Sequence, residues 1–145
     1  MAAGGVKDIL IANLIVGPQK VARLVELRRK CDPVVCVDHP DQAKAFSAAM
    51  SAAGLALRVI IEVDVGLGRV GVAAGEPTVE FARQLNDMPG ISFAGIMGYE
   101  GHLLCLEDGE DKRRQIHAAL KILTDTGDQI RAAGLPCGIV SCGGT

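Results

Sequence analysis

Residues 59–72 read VIIEVDVGLGRVGV: an apolar strand carrying two acids, Glu62 and Asp64, runs into a glycine-rich turn holding one arginine, Arg69. Gly66, Gly68 and Gly71 spell GxGxxG, the fingerprint of a dinucleotide-binding turn. Such a turn must open directly into a helix whose N-terminus holds the pyrophosphate, and an acid must follow about 20 residues on, at the end of the next strand. Neither condition is met. Gly71 is followed by VAAGEP, so another glycine and a proline precede any helix, and Asp87 lies before a strand rather than after one. The fingerprint is rejected, and the fold has to be decided by what surrounds this stretch.

On either side, short apolar runs alternate with amphipathic stretches. The strands read as DILIAN (8–13), VVCVD (34–38), LRVIIEVDV (57–65), ISFAGIMG (91–98) and GIVSC (138–142). They are near-continuous apolar runs, as strands buried on both faces should be. Pro18, Pro40 and Pro77 each suit a first helical position, where the missing N–H costs nothing. In the second helix Ala43, Phe46, Met50 and Ala53 share a face. The fourth spans about Asp111 to Ala133, with Ile116, Leu120 and Leu123 inward and Gly134 as its stop.

Alternation of this kind implies a parallel sheet with right-handed crossovers, either doubly wound or part of a (β/α)8 barrel. A barrel takes roughly 250 residues, about 30 per unit, so this chain holds a little over half of one. The loops favour the barrel. Asn13, Asp38 with His39, Asp64 with Arg69, Tyr99-Glu100-Gly101-His102 and Ser141 stand at successive strand ends. A barrel builds its site from all of these loops, whereas an open sheet concentrates it at one switch point.

The hydrophobic fraction is 49% with only 3% aromatic residues, so the core must be aliphatic and alanine-rich. A net charge of −2 gives no basic footprint for nucleic acid. No apolar run reaches membrane-spanning length and MAAGGVKD lacks the regions of a signal peptide, so the chain reads as a cytoplasmic protein with no membrane partner. Five cysteines without a CxxC pair fit a reducing compartment, and Cys36, Cys137 and Cys142 lie in or beside strands as small buried hydrophobes. His102 and Cys105, three apart, are too few for a metal site.

Arg69 is either a solvated loop cation or a fixed one aimed at an anionic oxygen. SCGGT (141–145) is either a plain tight turn or a phosphate loop in which glycine N–H groups approach an anion closely. Together the two features favour a phosphorylated ligand.

DILIAN, IVGPQKVARL, VDVGLGRVGV, GYEGH and SCGGT, in this order and spacing, resemble the pyridoxal-phosphate barrels of the alanine-racemase type, in the branch of the D-threonine aldolases and D-serine dehydratases. The resemblance covers nearly the whole chain. It implies an α/β fold, an incomplete (β/α)8 TIM barrel of about strands three to seven with four intervening helices, as one partial domain over residues 1–145. It implies that Arg69 binds the phenolic oxygen of the cofactor, that Tyr99 faces the pyridine nitrogen, and that Ser141, Gly143, Gly144 and Thr145 hold the phosphate. His102 is placed near the substrate, with Asp64 and Glu100 as supporting groups.

The activity implied is that of a lyase needing pyridoxal 5'-phosphate and a divalent metal (Mn, Mg or Zn). It would cleave a D-3-hydroxy amino acid to glycine and an aldehyde, or dehydrate it; a non-catalytic cofactor carrier is the alternative from another class. A homodimer of the complete protein is expected. The family's lysine motif near the first barrel strand is missing: Lys7 precedes its strand, and Lys20, Lys30, Lys44, Lys112 and Lys121 read as helical. The metal ligands of the family's second, β domain are not in these residues either. The chain therefore reads as a fragment, inactive alone, with unpaired strand edges that favour association.

Overall fold

The computed structural model describes residues 1–143. Its strands are β1 (Asp8–Leu14), β2 (Asp32–Val37), β3 (Leu57–Asp64), β4 (Val72–Ala73), β5 (Ile91–Gly98) and β6 (Ile139–Ser141). The helices are α1 (Pro18–Arg28), α2 (Pro40–Ala52), α3 (Glu76–Asn86) and α4 (Glu110–Ala132). Pro18 and Pro40 begin their helices, but Glu76 begins α3 and Pro77 is its second residue. Beyond α4, Gly134 turns left-handed at φ 78° while the Leu135 N–H reaches back to the Ile130 carbonyl at 3.2 Å, so the chain leaves the helix there as the glycine predicts. Leu123 is buried beneath α4, and Ile116 and Leu120 are half-buried. Ala53 falls just past the end of α2.

Every pairing in the sheet is parallel, in the order β1-β2-β3-β5-β6. The order never reverses, so there is no switch point. All four helices also lie on one face. The main core joins Val35, Val59, Ile61 and Ile96 of the strands to Leu24, Phe46, Leu85 and Leu123 of the helices. A doubly wound sheet requires a reversal and helices on both faces. This is a partial barrel, and its helix-free face is the barrel interior.

That interior has layers. At the N-terminal ends of the strands, Arg58 of β3 pairs with Asp8 of β1 and with Asp32 of β2, the latter at 2.8 Å. Above them sit Val34, Cys36, Ile60 and Met97 as a small apolar layer, with the Cys36 sulfur 2.8 Å from that of Met97. The polar residues at the strands' C-terminal ends lie above this layer. Among the described residues, no helix is long and apolar enough to cross a membrane.

The element that sequence periodicity did not predict is β4. Its two residues pair with Val63 and Asp64, beyond the point where the β2 ladder on β3 ends at Ile61.

Candidate functional site

The glycine-rich stretch is a closed loop. Asp64 Oδ1 accepts the N–H groups of Gly66 (2.9 Å) and Gly68 (3.0 Å), which curls the chain straight after β3. These bonds, that from Gly68 foremost, hold the Asp64 carboxyl below the usual carboxylate range. The loop ends where the Gly71 N–H donates to Asp38 Oδ2 of the β2 end at 3.1 Å. Gly71 has φ 106°, and a Cβ there would stand 2.7 Å from the Asp64 nitrogen and 2.9 Å from the Val63 carbonyl carbon. Only glycine fits against the strand. β4 then pairs with β3, so residues 65–71 return to the strand they left.

Arg69 stands in this loop, exposed, with its guanidinium carbon 5.6 Å from the centroid of the Tyr99 ring. That is within cation–π range. Tyr99 follows β5 and is half-buried. His102, in the single turn Gly101–Leu103, is exposed and lies over the loop: a Cβ on Gly66 would be 3.1 Å from its Nε2. The structure therefore brings Asp64, Arg69, Tyr99 and His102 together.

Ser141 ends β6, in register with Met97 of β5. Gly143 is exposed beyond it, and Gly144 and Thr145 lie outside the described residues. The link from this loop to the rest of the site is one that sequence reasoning missed. The Cys142 thiol donates to Oε2 of the buried Glu100 at 2.9 Å, tying the end of β6 to the residue after Tyr99. Burial, and then this bond, push the Cys142 thiol up to about 12. Cys142 is thus only half-buried but tightly held, while Cys36 and Cys137 are buried as expected.

Glu62 was the other omission. It is 7% exposed on the helix-free face, one layer above Ile60. Burial and then the nearby Asp38 raise its carboxyl, and Arg69 opposes them. The same interior pushes the Cys36 thiol up to about 12, by burial first and then by the charge of Glu62. Charged residues on one face of an otherwise apolar strand (Arg58, Glu62 and Asp64, with Ile60 between the first two) were the available signal.

A guanidinium against a phenol, with the Ser141 hydroxyl and the Gly143 backbone at the end of the next strand, suits a flat anionic ligand. A covalent bond to lysine has no candidate here. Lys7 precedes β1, Lys20, Lys44, Lys112 and Lys121 are on helices, and Lys30 follows one. Among the described residues, no three His, Cys, Asp or Glu side chains converge to hold a metal ion.

The chain matches the family model for the alanine racemase N-terminal domain over residues 1–145. It is 36% identical over 143 residues to a D-threonine aldolase from an Arthrobacter species, covering 99% of this chain and 38% of that protein. It is 32% identical over 146 residues to a D-threo-3-hydroxyaspartate dehydratase from Delftia, again covering 99% and 38%. The crystal structure of a D-threonine aldolase from Filomicrobium marinum superposes with a TM-score of 0.93 at 31% identity, over 98% of this chain and 38% of that one. A variant of a D-threo-3-hydroxyaspartate dehydratase in a metal-free form gives 0.87 at 31% identity, over 97% of this chain and 37% of that one. The chain thus spans a little over a third of the length of these four proteins.

Proposed function

The chain belongs to the family of the alanine racemase N-terminal domain, and on that premise we propose that it forms part of the cofactor barrel of a pyridoxal-phosphate-dependent lyase acting on D-3-hydroxy amino acids. The observation that carries this reading is the placement of Arg69 against Tyr99 at the C-terminal mouth of a partial barrel. Similarity to an aldolase and a dehydratase over the same stretch supports the reaction class.

Bound there, pyridoxal 5'-phosphate would supply the electron sink that weakens bonds at the substrate's α-carbon. In this reading the Arg69 guanidinium donates to the phenolic oxygen, a charge-assisted bond worth about 1.5–3 kcal/mol. Tyr99 would present its hydroxyl to the ring nitrogen. As a neutral group it leaves that nitrogen less electron-poor than a carboxylate partner would. Ser141, Gly143, Gly144 and Thr145 would hold the phosphate, and the Cys142–Glu100 bond ties the residue after Ser141 to the residue after Tyr99. Asp64 keeps the arginine loop closed. His102, exposed at the rim, would stand near the substrate and exchange a proton with it.

The covalent lysine and the donors for a divalent metal (manganese, magnesium or zinc) are assigned to residues other than the described ones, and a homodimer is part of the same reading. Retro-aldol cleavage to glycine and an aldehyde is the first reading. Dehydration is the second, favoured by the Delftia relative.

The test is a graft. The 145 residues replace the matching segment of the Arthrobacter aldolase and, separately, of the Delftia dehydratase, and the chimeras are assayed with D-threonine and D-threo-3-hydroxyaspartate. Cleavage or dehydration in a chimera supports the reading. Two folded, cofactor-loaded chimeras with neither activity would refute it.

A further inference from the structure

We infer that Gly101 is a positioning residue of this site: having no side chain, it leaves the space in which the Tyr99 ring lies with its hydroxyl toward a pyridine nitrogen. The inference rests on the proposal that Tyr99 faces that nitrogen, and it adds the residue that sets the ring's place.

Gly101 begins the single turn after β5, and its backbone lies outside the left-handed region, so conformation does not require glycine there. Contact does. A Cβ on Gly101 would stand 2.6 Å from Tyr99 Cζ and 3.0 Å from the hydroxyl oxygen, and closer still to Cε1. The phenol thus folds back over the turn and lies against the Gly101 backbone, with the Arg69 guanidinium carbon 5.6 Å from the ring centroid. An alanine at this position would claim the place of the ring.

The backbone on both sides is held, so the ring is what yields. Before Tyr99, Gly98 packs against Val65, whose Cγ1 would be 2.8 Å from a Cβ there. After it, the carboxyl of buried Glu100 takes the Cys142 thiol at 2.9 Å. The Leu103 N–H then donates to the Glu100 carbonyl at 2.9 Å, and the Leu103 side chain is buried. The Tyr99 ring is half-buried and turns on side-chain torsions, the last of which is broad. A methyl group on residue 101 needs ordinary carbon contact distances, so it moves the phenol by about 1 Å. That leaves the fold intact but breaks a hydrogen bond made by the hydroxyl.

The experiment has two arms. The chain has one tyrosine, so labelled tyrosine reports Tyr99 alone. In the first arm, ring resonances of 13C-labelled tyrosine are recorded without ligand in the wild type, Gly101→Ala and the control Gly109→Ala, where a Cβ meets nothing within 4 Å. They should shift in Gly101→Ala and stay in place in the control. Unshifted resonances in Gly101→Ala, or equal shifts in both variants, would overturn the inference. In the second arm, binding of pyridoxal 5'-phosphate is compared with that of its carbocyclic analogue, in which C–H replaces the ring nitrogen. The wild type should favour the cofactor about tenfold, the value of one hydrogen bond. Gly101→Ala and Tyr99→Phe should each erase that preference, and the double variant should go no further. A wild type without the preference, or a Gly101→Ala that weakens both compounds alike, would refute positioning. If the wild type binds neither compound, the proposed function falls, and the ring resonances alone decide the role of Gly101. If Gly101→Ala does not fold, Tyr99→Ala is added to it: recovery of the fold supports the ring contact, and continued unfolding overturns it.

Discussion

The Arg69 guanidinium lies across the face of the Tyr99 ring, 5.6 Å from its centroid, and so joins a loop after β3 to the residue that follows β5. Two strand ends that are adjacent in the sheet thus meet again above it. The contact is exposed, where such a pair contributes about 0.5–1 kcal/mol. That is too little to hold the fold together, but enough to set the angle of the guanidinium.

Arg69→Ala should therefore act on ligand binding more than on stability. Losing a charge-assisted bond to an anionic oxygen corresponds to roughly a 10- to 150-fold weaker affinity for pyridoxal 5'-phosphate, with the melting temperature nearly unchanged. Titration of the cofactor alongside thermal denaturation checks both. A large fall in melting temperature with unchanged affinity would make Arg69 structural.

Asp64 is predicted to stabilise the loop in a pH-dependent way. Its carboxyl is held below the usual range by the Gly68 and Gly66 N–H groups, so the folded state binds its proton less readily than the unfolded chain does. The stabilisation is then complete above the unfolded value of about 3.9 and is lost as pH falls through the lower folded value. Asp64→Asn keeps an acceptor and removes the charge. It should cost about 1 kcal/mol at neutral pH and almost nothing in strong acid, as measured by urea denaturation at both pH values. An equal penalty at both would mean that the charge plays no part.

The cysteines should separate cleanly by reactivity. Cys105 is exposed, whereas Cys36 and Cys142 both have thiols pushed up to about 12. Only the thiolate alkylates at an appreciable rate. With iodoacetamide at pH 8, mass spectrometry should find Cys105 modified first and Cys36 and Cys142 only after denaturation. In Glu100→Gln, Cys142 should react sooner, because the carboxylate no longer raises its thiol. Early labelling of Cys142 in the native wild type would contradict the Glu100 contact.

The sequence disclosed the long elements well, for a plain reason. Strands such as VVCVD and LRVIIEVDV are buried on both faces, so their apolar character is continuous and cannot be mistaken for a surface strand. The rejected dinucleotide fingerprint was also legible, since VAAGEP places a glycine and a proline where a helix would have to start. Val72–Ala73 was not legible as a strand. Its pairing is dictated by the Gly71 N–H reaching Asp38, more than 30 residues away, and two residues carry no periodicity. The candidate site divides in the same way. Arg69, Tyr99 and His102 stand out as polar residues at strand ends, whereas Glu62 and the Cys142–Glu100 bond depend on depth and on contacts between strands.

Because the loop between Val65 and Gly71 rejoins β3 at Val63 and Asp64, it can be edited as a cassette. A change in its length need not alter the register of the strands on either side, since both of its ends are clamped to one strand and to Asp38. Reach and charge at the mouth of the barrel can therefore be varied independently of the framework beneath, which makes residues 66–70 the natural place to diversify ligand preference by mutagenesis while leaving the packed interior alone.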